Sequence, residues 1–185
     1  MALKDNSTLK PNTGRFYTAP VGTALPADLR NPGAEWEDIG HTSLEDIVAI
    51  SSEGGETSTL GSLQNKTLRN STTPRVESFG LNLHQFDETA LQLYYGSNAK
   101  VNGNYVEVPD EPVATERAWL GVLYDGNNDA GFYAAKASIF RSDDVAISDT
   151  ESLAQLPLSV TPLKMEGATS PYTFIMPHKS ADVTP

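Results

Sequence analysis

Two apolar segments, RAWLGVLY at 117–124 and FYAAKASIF at 132–140, flank the turn-forming stretch DGNNDAG, and nothing else constrains this chain as tightly. Long β-prone arms around a Gly/Asn/Asp cluster predict a hairpin. In the second arm Phe132, Ala134, Lys136, Ser138 and Phe140 alternate with Tyr133, Ala135, Ala137 and Ile139, so both faces carry apolar side chains. A strand covered on both sides needs either a second layer or another subunit.

Around this hairpin the other elements read as strands with one helix. In RVESFGLNLHQF at 75–86, Phe79, Leu81 and Leu83 fall on one face, the period of two of a half-buried strand, with Glu77 out of pattern. Asp87 then predicts an N-cap for the short helix ETALQLYY, whose Leu91, Tyr94 and Tyr95 share a face and must dock on the sheet, with Gly96 ending it. Asn102–Gly103 sits between β-prone residues in AKVNGNYVEV, a second hairpin signal. EDIVAIS at 45–51, LAQLPLSVTPLKM at 153–165 and PYTFIM at 171–176 add strands, with Pro157 and Pro162 placing the second of these at an edge or across a bulge. The expected fold is mainly β: a sandwich or partly open barrel of about seven strands with one short helix, and no internal repeat.

Two stretches fall outside that pattern. Residues 1–35 contain Pro11, Pro20, Pro26 and Pro32, which deny the span a long helix and predict an extended arm. Its Phe16, Tyr17, Val21, Leu25 and Leu29 need a surface to cover, on its own domain or on a neighbour. Residues 52–73 are polar and weakly periodic around Gly54–Gly55, which predicts a long flexible loop. The expected organisation is therefore an arm at 1–35, a β domain at 36–176 carrying that loop, and a tail at 177–185. Trp36, between the arm and the first strand, is expected to anchor the arm by burial rather than to stack on a ligand.

Charge and composition narrow the chemistry. Thirteen Lys and Arg against 24 Asp and Glu give a net charge of −11, which opposes sequence-independent binding of DNA or RNA through the phosphate backbone. There is no cysteine, so thiolate nucleophiles, disulfides and cysteine-ligated metals are excluded. The three histidines, His41, His84 and His178, form no metal-binding motif, and no phosphate-binding glycine loop or nucleophile elbow is present. The carboxylates Glu35, Glu37 and Asp38, or Asp143 and Asp144, could carry acid/base work only in a cleft that shifts their pKa values apart, and Asp143 and Asp144, in the turn-like RSDDV, read as a solvated turn. The expectation is no enzyme, no cofactor, no metal and no catalytic residue. The start MALKDNSTLKPNTGRF lacks an apolar run of signal-peptide length, and no stretch approaches a membrane span, so a soluble protein or assembly subunit is expected.

Three elements in fixed order then carry a resemblance: Ala19, Pro20, Gly22, Thr23 and Pro26; Trp36, Gly40 and Thr42; and Glu77, Leu83, Phe86, Leu91 and Tyr94. In this the chain resembles the major tail proteins, or tail tube proteins, of long-tailed bacteriophages infecting actinobacteria, over most of residues 14–176. The resemblance implies a sandwich-like subunit forming hexameric rings that stack into a hollow tube in the virion tail. Through it viral DNA passes at ejection without specific binding. It also implies partners at the ends of the tube (tape measure, tail terminator and baseplate proteins) and no membrane. A monomeric β-sandwich binding or adhesion module is the alternative. On the tail tube reading, the loop 52–73 and the arm 1–35 are expected to become ordered on stacking, and the hairpin 117–140 is the candidate inner wall.

Overall fold

The protein is described by a computed structural model over residues 8–147 and 150–180. Among the described residues there are twelve strands and one helix. The chain opens with β1 (Thr13–Ala19) and β2 (Glu37–Asp38), then β3 (Ala49–Gly54), β4 (Thr57–Leu60), β5 (Arg69–Thr72) and β6 (Arg75–Leu83). Helix α1 (Glu88–Tyr95) and the small hairpin β7 (Lys100–Asn102) and β8 (Tyr105–Glu107) follow. Strands β9 (Thr115–Asp125), β10 (Asn128–Arg141), β11 (Leu156–Pro162) and β12 (Thr173–Lys179) complete the chain. Eight of these strands form one antiparallel sheet in the order β2-β1-β9-β10-β11-β6-β3, with β12 also paired to β10.

The predicted hairpin is the spine of this sheet. Asp125 pairs with Asn128, leaving Gly126–Asn127 as a two-residue turn. Between the Ala134–Trp119 and Ala137–Arg117 pairs, Ala135 and Lys136 stand opposite the single residue Ala118, a β-bulge. The bulge changes which residues face inward: Phe132 and Ala134 before it, Ala137 and Ile139 after it, all enter the same core. Simple alternation would have put Ala134 and Ala137 on opposite faces. Gly131 leaves no room for a side chain against β9, since a Cβ there would sit 2.1 Å from the Gly121 carbonyl oxygen.

Beyond β10 the sheet curls. Strand β6 lies three strand spacings from β9, roughly 14 Å across a flat sheet. Yet the Phe79 ring on β6 stands 4.9 Å from that of Trp119 on β9 and 5.0 Å from that of Phe132 on β10. The concave side therefore closes on an aromatic core to which Leu81, Leu83, Leu156, Leu158, Val160 and the helix contribute. The sheet is an open one, not a closed barrel. Backbone bonds from residues 39–43 link its two sides, Ile39 N–H donating to Phe16 O (3.0 Å) and Ser43 N–H to Asn82 O (2.9 Å).

The convex face has its own cover. Tyr17, Ala19, Ala118, Leu120 and Val122 pack under Leu29 and Trp36, and Trp36 meets Tyr133 edge to face at 6.2 Å. This resolves both alternatives left by the sequence. The second layer over the hairpin comes from the same chain, and the proline-rich segment lies across its own domain, with residues 13–19 forming β1 inside the sheet rather than part of an extended arm; residues 1–7 of the expected arm lie outside the described residues. The covering loop is pinned by Arg30, which donates from Nε (3.0 Å) and Nη2 (2.8 Å) to the buried Asp129 carboxylate and from Nη2 to Gly126 O (2.7 Å). Ser180 Oγ donates to the same carboxylate at 2.7 Å, tying down the end of β12. Residues 177–179 thus belong to β12 rather than to a tail, and the expected tail beyond Ser180 lies outside the described residues.

The helix forms as its sequence dictates. Asp87 Oδ1 accepts the Ala90 N–H at 2.9 Å, and Gly96 ends it with φ 107°. Its buried face is Ala90, Leu93 and Tyr94, turned from the expected Leu91, Tyr94 and Tyr95, so that Leu91 and Tyr95 flank it half-buried. Strand β11 departs from expectation: it runs between β10 and β6, not at an edge. Its prolines are accommodated because they occupy the second and last positions of the strand. Pro177 sits where β12 itself bulges against β10.

Candidate assembly surface

The sequence from Ala49 to Val76 builds a projecting arm instead of a flexible loop. Strands β3 and β6 pair from Ala49–Gly80 to Gly54–Arg75, and β4 and β5 continue the ribbon from Thr57–Thr72 to Leu60–Arg69. Gly54 and Gly55, at φ 84° and 76°, change its direction between the two ladders, a left-handed conformation that glycine adopts without strain. Hydroxyl pairs stitch it across: Ser51 to Ser78 at 2.7 Å and Thr57 to Thr72 at 3.1 Å. At the tip Asn65 N–H donates to Ser62 Oγ (3.1 Å), Thr67 N–H to Asn65 Oδ1 (3.1 Å), and Leu68 N–H to Leu60 O (3.0 Å).

The arm has no buried side of its own. Leu60, Leu63 and Leu68 crown it in solvent, Leu63 at 95% exposure. Residues 57–72 hold Lys66 and Arg69 and no acid, a local charge of +2 in a chain of −11. The root is fixed by Glu77, which accepts the Tyr172 hydroxyl hydrogen bond. Tyr172 also sets its ring edge against Phe79 at 5.2 Å. That bond, together with burial, holds the Tyr172 phenol above its ordinary range. The out-of-pattern glutamate is thus the residue that joins the arm to the loop before β12.

Three further surfaces are open. β12 carries exposed Phe174 and Met176, and β3 is the terminal strand beyond β6. At the opposite end of β6, beside α1, the segment 105–113 exposes Tyr105, Val108 and Val113 among Glu107, Asp110 and Glu111. Asn98 fastens this segment to the helix terminus, accepting from Val113 N–H and donating to Glu111 O, both at 2.9 Å.

The groups considered for catalysis are scattered and structurally engaged. His84 Nδ1 donates to Ala154 O (2.9 Å) and His178 Nδ1 to Met176 O (3.0 Å), while the His41 backbone bonds to Gln85 and His84. Glu37 pairs with Arg117 at 3.1 Å and Asp38 with Arg15 at 3.6 Å. Asp143 accepts the Asp144 N–H within its own turn. Among the described residues no cluster of three or more His, Cys, Asp or Glu could hold a metal ion.

Comparison with known proteins bears on what such an arm is for. A family model described as "Phage tail tube protein" matches residues 1–185. The chain is 36% identical over 179 residues to "Major tail protein Gp23" of Mycobacterium phage D29, covering 90% of this chain and 89% of that protein. The "Major tail protein Gp23" of Mycobacterium phage L5 matches with the same identity and coverage.

Proposed function

The chain belongs to the phage tail tube protein family, and from that premise we propose that its copies close into rings of six that stack into a hollow tube, the conduit for viral DNA at ejection. Its role is structural rather than enzymatic, as a subunit of the tail tube in the virion. The observation that supports the finer reading is the arm. A two-stranded ribbon is marginal in water unless a face is covered, and exposed strand edges invite pairing with another chain. Stacking one ring on the next supplies that cover. Tape measure, tail terminator and baseplate proteins are the partners this assembly requires within the tube or at its ends.

Charge fits the conduit. Each copy carries −11, so a ring of six carries −66. A duplex bears about one negative charge per 1.7 Å and binds tightly where lysine and arginine release its counterions. An acidic tube keeps it off the wall, and screening over roughly 8–10 Å limits the barrier to entry. Negative-stain microscopy of the purified protein tests this reading: rings and tubes are expected. Deleting residues 56–72 is expected to leave a soluble body with an unchanged melting temperature and no long tubes. A wild-type protein that stays monomeric at all concentrations overturns the reading and favours a monomeric binding module, and salt-sensitive micromolar binding of duplex to tubes overturns the conduit account.

A further inference from the structure

We infer that the leucine-crowned tip of the arm seats on the 105–113 segment of a second copy of this chain, so that the two ends of β6 carry the two halves of one head-to-tail contact. The inference rests on the ring-stacking reading and names the surface that receives the arm. The two surfaces lie at opposite poles: the arm leaves the start of β6 and α1 follows its end, and the nine residues between span about 27 Å. Complementary patches at opposite poles of one molecule make a heterologous contact, which repeats along an axis instead of closing into a pair.

Chemistry chooses the occupant. The tip offers Leu60, Leu63 and Leu68 with Lys66 and Arg69 and no acid, while residues 105–113 offer Tyr105 (66% exposed), Val108 and Val113 with Glu107, Asp110 and Glu111 and no base. The four ion pairs among the described residues use none of these charges. Glu107 is engaged within its own hairpin, accepting from Asn102 Nδ2 (2.6 Å) opposite Lys100, so Asp110 and Glu111 carry the charge opposite to that of Lys66 and Arg69. The acidic stretch at 37–38 is not free to receive it. Glu37 and Asp38 are already paired with Arg117 and Arg15. Apolar side chains supply the contact, and the charges fix which surface of the next copy it is made to.

Because the chain has no cysteine, a pair of introduced thiols reports the contact without background. Leu63→Cys protein and Val108→Cys protein are co-assembled into tubes, oxidised and run on a non-reducing gel. A crosslinked dimer is expected from the mixture and not from either variant alone. Tubes that form without the dimer overturn the inference and leave ring stacking intact, whereas monomers in place of tubes overturn both. A charge swap provides a second readout. Lys66→Glu with Arg69→Glu is expected to shorten tubes at least tenfold at unchanged melting temperature. Adding Asp110→Lys with Glu111→Lys is expected to restore their length, and failure of that rescue overturns the inference.

Discussion

Phe79→Ala removes the ring on which the curl of the sheet turns. Phe79 is fully buried and touches the rings of Trp119, Phe132 and Tyr172 at centroid distances of 4.9, 5.0 and 5.2 Å. Burial of a phenylalanine side chain contributes about 2–3 kcal/mol by transfer alone. The neighbours cannot fill the void: Trp119 and Phe132 are held in paired strands, and Tyr172 is tied to Glu77. The residual cavity therefore adds about 1–2 kcal/mol, for a total of about 4 kcal/mol. In a chain of this size, each kcal/mol lowers the melting temperature by roughly 2–4 °C. A loss of about 8–16 °C is expected in a thermal melt followed by far-ultraviolet circular dichroism. Leu63→Ala, at a position almost wholly in solvent, is expected to shift it by less than about 2 °C. A Phe79→Ala melt within about 4 °C of the parent would refute the account, because the two limbs of the sheet would then be held by something other than this cluster.

Arg30 and Asp129 are coupled through a bidentate contact with a buried carboxylate. Asp129→Asn is expected to lower stability by about 2 kcal/mol, less than for a fully buried pair because the Arg30 side chain is partly exposed. A double-mutant cycle with Arg30→Ala reads the coupling directly, and a value near zero would show the latch to be inert. Burial raises the phenols of Tyr94 and Tyr124 above their ordinary value of 10.0 in the folded state. Below pH 10 both states keep these protons and stability does not change. Above it the unfolded chain loses them first, so stability falls as pH rises, by up to about 1.4 kcal/mol per pH unit for each group. Urea unfolding between pH 9 and 11.5 measures this slope, Tyr124→Phe should reduce it, and a flat profile would contradict it.

What the sequence made legible was local. The hairpin of β9 and β10 is joined by a two-residue turn, and the helix is bounded by Asp87 and Gly96, each a neighbour of what it controls. The small hairpin was also visible, although its turn is Gly103–Asn104, one residue beyond the Asn-Gly expected. The bulge at Ala135–Lys136 was not, because both phases of that strand are apolar and nothing marks where one gives way to the other. The arm's sequence reads as a loop, since a ribbon with no buried face has no hydrophobic period to display. Its Ser and Thr runs at 57–59 and 71–73, on either side of a turn-rich centre, were the available signal. β3 begins at Ala49, four residues later than the strand expected at 45–51, after a turn in which Asp46 has φ 54°. The Glu77–Tyr172 bond joins residues 95 apart, which no local pattern reveals.

The pairing of β1 with β9 sets a schedule for making the protein. Thr13 lies beside Tyr124 and Ala19 beside Ala118, so the first strand waits for about a hundred further residues before its partner exists. At roughly 5–20 residues per second that interval is about 5–20 seconds on the ribosome. Through it Phe16 and Tyr17 have no core to enter, while the arm's strands, close in sequence, have all been made, each with its pairing partner. The last strand, β12, arrives later still and completes the Asp129 latch. A growing chain therefore displays its arm well before it has a body, and the subunit becomes competent to build only once synthesis is nearly finished.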